Sequence, residues 1–169
     1  MTWLPFDLHP EYPPEGLPRD RLLARYGDDG IARTKGMFEA RGLEYAPHPE
    51  VVPNTRAALR LGEHARGHGL HRAFHDRVMD AYWAESRDIG DRDELRVLGV
   101  EVGVPEEEVE LVLAGDEYAD VVETSTLQAA SVGVTGVPAF VLDRRLLVLG
   151  AQPESVFEQA FAQLEASDA

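Results

Sequence analysis

Gly133-Val-Thr-Gly-Val-Pro-Ala-Phe-Val-Leu142 is the stretch on which the fold turns. Its apolar run Pro138–Leu142 is followed by a second, Leu146–Leu149, and the two are separated only by Asp143-Arg-Arg145. Two short apolar runs around a polar turn predict a β-hairpin. Both runs are almost entirely apolar, which predicts a sheet covered on both faces. Gly150-Ala-Gln-Pro153 closes the second run. A last amphipathic helix follows, with Val156, Phe157, Ala160, Phe161 and Leu164 on its apolar side.

Upstream of Gly133 the periodicity is helical. Pro18–Tyr26 reads as a short helix stopped at Gly27, and a second carries Ile31, Met37 and Phe38 before Gly42. Asn54 caps a helix over 55–66 with Ala58, Leu61 and Ala65 on one side. Leu70, Phe74, Val78, Ala81 and Tyr82 form a clear stripe. Asp91 and Pro105 each start a helix, and another spans 118–132. At the other end, Trp3, Phe6 and Leu8 with Pro5 among them read as a short strand, part of it at an edge or an end. Four prolines within residues 10–18 make an extended connection, and Pro47, Pro49 and Pro53 make a second.

Composition excludes several chemistries. The chain has no cysteine, so it holds no disulfide, no thiolate nucleophile and no Cys-ligated metal. A net charge of −15 argues against nucleic acid as a partner, because affinity for phosphates rests on Lys and Arg. Residues 85–123 hold 14 of the 31 acids and 3 of the 16 bases, which reads as a solvated helical surface or a docking face for a basic partner. The first ten residues have no basic start and no long apolar run, and no stretch approaches ~20 apolar residues. A cytoplasmic protein with no membrane partner is expected.

Gly133–Leu142 followed by Gly150-Ala-Gln-Pro153 resembles the C-terminal half of the DsbA family. Trp3-Leu-Pro-Phe-Asp-Leu-His-Pro10 resembles the second strand of its FrnE-type dithiol–disulfide isomerase branch. Asn54-Thr-Arg, Ala58-Leu-Arg-Leu61, Ala81-Tyr-Trp83 and Asp88-Ile-Gly-Asp91 resemble that branch's inserted helical domain. The resemblance implies an α/β, thioredoxin-like fold with a helical insertion domain, in which the first strand and first helix are missing. Residues 1–16 and 117–169 would form the partial thioredoxin-like domain and 17–116 the insertion. The family's Cys-x-x-Cys belongs to the segment expected ahead of Trp3, so the chain is expected to be truncated or to have lost redox activity. The absent strand would lie centrally, leaving a gap of roughly 9–10 Å between neighbouring strands. Strand 3–8 is therefore expected to pair directly with 138–142, or a second copy or a partner chain is expected to fill the position.

The resemblance also implies a site. Thr135, Gly136, Val137 and Pro138 match the family's cis-proline loop, where the residue before the proline pairs with an extended substrate chain. Thiol exchange needs an attacking thiolate and a second sulfur, and this loop supplies neither. The family's substrate is a peptide or protein thiol or disulfide. A cysteine-free peptide- or partner-binding module is one alternative. A glutathione-dependent, 2-hydroxychromene-2-carboxylate isomerase-like relative, with glutathione as its cofactor, is another. No residue is assigned as catalytic. His64 and His68, and His71 and His75, are each spaced i, i+4 and can share a helix face. That spacing can bind zinc, but Glu63 precedes His64 rather than following it, so the motif is not His-Glu-x-x-His. Gly67 and Gly69 place the pairs on different helices, and both read as histidines of the insert's surface, with no metal assigned. Glu106–Glu108 read as helix-start acids.

Overall fold

The computed structural model describes residues 1–167, apart from the side chains of Leu23, Arg25, Tyr26 and Asp28. It divides into two compact units. One is continuous, His9–Val122; the other joins Met1–Leu8 to Glu123–Ala169, the last two residues lying outside the described ones.

The continuous unit is helical. Its two proline-rich connections pair over two residues each, β1 (Leu17–Pro18) against β2 (Val51–Val52), antiparallel. The periodicity carries no sign of this pair, since two residues are too few to show alternation. Gly16 makes it possible: with φ at +74°, a Cβ there would lie 2.5 Å from the Val52 carbonyl oxygen. Helix α1 (Arg19–Glu39) is broken at Gly27, where φ 65° and ψ 173° interrupt the helical path as expected.

Four helices then build the core: α2 (Arg56–Gly67), α3 (His71–Trp83), α4 (Arg92–Glu101) and α5 (Glu106–Ala114). Ala58, Leu61 and Ala65 of α2 meet Phe74, Val78 and Ala81 of α3, Leu95 and Leu98 of α4, and Val109, Val112 and Leu113 of α5. The i, i+3, i+4, i+7 spacings put each set on one helical face. Gly99 lets α4 approach closely, because a Cβ there would sit 3.0 Å from Val109 Cγ2 and 3.3 Å from Leu61 Cδ2. Asp91 caps α4, accepting the N–H groups of Asp93 and Glu94 at 2.9 and 3.0 Å. The first residue flanking α2 is Thr55, one beyond the expected cap, yet the Asn54 carboxamide still accepts the Arg56 N–H at 3.0 Å. Arg60 closes the other end of α5, donating to the carbonyls of Val112, Gly115 and Glu117.

Helix α6 (Ala119–Ser131) runs across the division between the units. In the second unit, β3 (Ala139–Leu142) and β4 (Leu146–Leu149) form the expected hairpin, in register Ala139↔Leu149 to Leu142↔Leu146. Asp143 and Arg144 both turn through positive φ, 50° and 55°. Helix α7 (Glu154–Ser167) packs on it through an edge-to-face contact of Phe157 with Phe140, ring centres 5.0 Å apart.

Two expectations are corrected here. Residues 3–8 form no strand and do not pair with β3. Their backbone is held by side chains of α6 instead: Ser125 Oγ donates to the Pro5 carbonyl at 2.7 Å, and Thr126 Oγ1 accepts the Asp7 N–H at 3.0 Å. Hydroxyls thus meet polar groups that a ladder would otherwise pair. Nor is the hairpin covered on both faces. Val141 is 51% exposed and Leu149 40%, because the sheet has only two strands among the described residues.

Candidate functional site

Thr135–Pro138 lies between the end of α6 and the first residue of β3. The helix stops at Gly133, where φ is +92°, and the Val134 N–H returns to the Ala129 carbonyl at 3.0 Å. Val134 is buried and anchors the loop; Thr135, Val137 and Pro138 are exposed. The Val137–Pro138 peptide bond is cis. Pro138 joins the hairpin through its carbonyl, which accepts the Gly150 N–H at 2.8 Å.

That last bond sets the phase of the ladder. In an antiparallel pair, opposing residues alternate between exchanging hydrogen bonds and facing outward. With Pro138 bonded to Gly150, Phe140 and Leu142 direct their backbone groups toward β4, while those of Ala139 and Val141 point to the open edge. Among the described residues, Thr135, Gly136 and Val137 donate no backbone hydrogen bond. Val137 presents a side chain 57% exposed beside them. A Cβ added at Gly136 would meet nothing within 4 Å, so the loop is open on that side. The four sequence-designated residues are therefore contiguous, at the surface and next to an open strand edge. No titratable group belongs to this loop, so it can hold an extended chain but cannot transfer a proton or an electron.

His64 lies in α2 and His68 caps its end, while His71 and His75 lie in α3, with Gly69 at φ +72° between the pairs. His71 Nε2 lies 3.8 Å from a Glu63 oxygen, and that carboxylate is held by both Arg66 Nε and an Arg66 terminal nitrogen at 2.9 Å. His64 and His68 instead converge on Glu108, a residue the sequence marks only as a helix-start acid. Nothing in the spacing could have joined residues 40 positions apart on different helices.

In chain order, the helical unit lies between an N-terminal segment and a C-terminal helix–hairpin–helix, with the open loop ahead of the hairpin. The sequence profile of the DSBA-like thioredoxin domain matches residues 1–162. The chain belongs to that family, the DsbA-like thiol–disulfide oxidoreductases, and has their thioredoxin-like fold. It is similar to the crystal structure of a probable DsbA oxidoreductase from Streptomyces coelicolor, with 36% identity and a TM-score of 0.84 over 94% of this chain and 72% of that one. It is also 28% identical to the uncharacterized protein YwbO of Bacillus subtilis, over 96% of this chain and 80% of that protein. No described helix is long and apolar enough to cross a membrane.

Proposed function

We propose that this chain is a substrate-binding, thiol-inert DsbA-family homologue of the FrnE-type branch. It holds an extended peptide from a thiol- or disulfide-containing protein at Thr135, Gly136, Val137 and Pro138. One observation carries the reading: a chain without cysteine keeps an exposed loop whose backbone N–H groups at 135–137 are engaged by none of the described residues, beside the open edge of β3. Strand addition at such an edge gives main-chain affinity without any reacting side chain. The helical residues 17–116 then act as an insertion domain within the thioredoxin-like one. The open edge with exposed Val141 also suits a strand from a second copy of the chain.

The test is paired. Fluorescence anisotropy with a labelled, extended, cysteine-containing peptide measures binding, and insulin reduction measures exchange. Wild type binds and does not reduce insulin. Gly136→Leu, which adds a side chain into open space, leaves the melting temperature unchanged and weakens binding at least ~10-fold, the factor carried by about 1.4 kcal/mol. Equal binding by Gly136→Leu removes the loop from the reading. Glutathione binding by calorimetry without peptide binding transfers it to the glutathione-dependent isomerase reading. A dimer on light scattering that blocks peptide binding assigns the edge to a second copy.

A further inference from the structure

The helical unit carries a second constellation that the loop does not involve. His64 Nε2 and His68 Nε2 lie 2.9 and 2.8 Å from one and the same oxygen of Glu108. The three donor atoms all fall within 4.8 Å of one another. His64 stands in the last turn of α2, His68 caps its C-terminal end, and the carboxylate comes from the first turn of α5; the two helices are locked together by Leu61, Ala65, Val109 and Val112. The convergence is thus fixed by core packing and not by a mobile loop.

The surroundings suit a cation. Glu117 and Asp120 line the same cleft as His64 and Glu108, with Tyr118, Leu111 and Val121. Arg60, one turn before His64, has its guanidinium directed to the carbonyls that close α5.

We propose that His64, His68 and Glu108 bind a divalent transition metal of the zinc class. Two imidazoles and one carboxylate are a three-ligand set that leaves a fourth position open. Imidazole nitrogen with carboxylate oxygen favours zinc, copper, nickel or iron over magnesium and calcium. At metal–ligand distances of about 2.0–2.2 Å, tetrahedral donors stand about 3.3–3.6 Å apart. Each N···O contact therefore opens by about 0.4–0.8 Å as the ion takes its place between the donors. Glu108 can make that adjustment, being 39% exposed on a flexible stem, while His64, only 13% exposed, stays in place. Tyr118 Oη lies 3.4 Å from His64 Nδ1, on the side away from Glu108, and is placed to orient the ring through its second nitrogen. A water or a small anionic ligand would complete the sphere at the fourth position.

His71 and His75 provide an internal control. They share the same i, i+4 spacing, but the carboxylate nearest His71 is engaged by Arg66, whose positive charge repels an added cation.

The test uses the untagged full chain, stripped with chelator and titrated with zinc chloride by calorimetry. One ion binds per chain with micromolar or tighter affinity. His64→Ala, His68→Ala and Glu108→Gln each weaken binding by at least ~10-fold, as the loss of even supporting groups at metal sites does; His71→Ala does not. Cobalt(II) gives the intense visible bands of a four-coordinate site in wild type and in His71→Ala, and loses them in Glu108→Gln. That variant changes one exposed atom type, so a preserved circular dichroism spectrum separates a lost ligand from a lost fold. Millimolar binding by wild type overturns the proposal. So does binding that survives Glu108→Gln and fails in His71→Ala.

Discussion

Gly99→Ala is a sharp test of how the helical unit is packed. The added methyl would sit 3.0 Å from Val109 Cγ2, 3.5 Å from Val109 Cγ1 and 3.3 Å from Leu61 Cδ2. Val109 and Leu61 are both fully buried, so neither can swing into solvent. Overpacking of this kind costs about 1–3 kcal/mol. Alanine recovers about 0.8–1 kcal/mol of helix propensity over glycine. The net is a loss of about 1 kcal/mol, or about 2–4 °C in melting temperature for a chain of this size. Val109→Ala alone removes two methyl groups from the core and costs roughly 1–3 kcal/mol. In the double variant the methyl added at Gly99 fills the space that Val109 vacates, so the two losses do not add. A urea double-mutant cycle should give a coupling of about 1 kcal/mol or more in the stabilising direction. Additivity within ~0.3–0.5 kcal/mol would show that Gly99 and Val109 do not touch, and the packing argument would fail.

Stability should also fall on mild acidification. Desolvation lowers the pKa of His48, aided by the charge of Arg19; desolvation also lowers those of His71 and His75. The unfolded chain then binds more protons than the folded one as pH drops through 6.5, so these groups favour folding above that value and lose their contribution below it. A urea midpoint that is flat between about pH 7.5 and 5.5 would contradict this. At lower pH the carboxylate of Glu85, held below 4.5 chiefly by its hydrogen bond to Arg77, adds a second decline. Replacing Asp143-Arg144 by Asn-Gly should stabilise the hairpin by about 1 kcal/mol, since both residues sit at positive φ; a lower melting temperature would speak against that turn. Asp91→Ala, which strips α4 of its cap, should cost about 1 kcal/mol, and an unchanged thermal midpoint would argue otherwise.

The helices and the hairpin are legible because each rests on a local rhythm: Leu70 to Tyr82 repeats at the helical period, and Asp143-Arg-Arg145 interrupts two apolar runs. Gly27 and Gly133 are readable as stops for the same local reason. What escapes depends on contacts that leave no rhythm. Ser125 and Thr126 look like any polar helix residues, yet their hydroxyls hold Pro5 and Asp7 where a strand is expected. The loop Thr135–Pro138 is visible through its motif. Glu108 is the helix-start acid that the sequence suggests, but its second relation, to His64 and His68, exists only once α2 and α5 have packed. A site assembled by tertiary packing has one half visible as spacing and the other hidden in an ordinary residue.

The hold of α6 on residues 5–7 has a consequence for how the chain is made. Asp7 and its partner Thr126 are separated by 119 positions. At roughly 5–20 residues per second, a ribosome takes roughly 6–24 s to travel between them. Helix α5 ends at Ala114, just ahead of Thr126, so the elements of the helical unit are made before the N-terminal segment meets its partner. Leu4 and Leu8 are exposed even in the finished structure, and during that interval so are their neighbours. A segment made that far ahead of its partner waits unpaired, and a chaperone that shields it has several seconds in which to act.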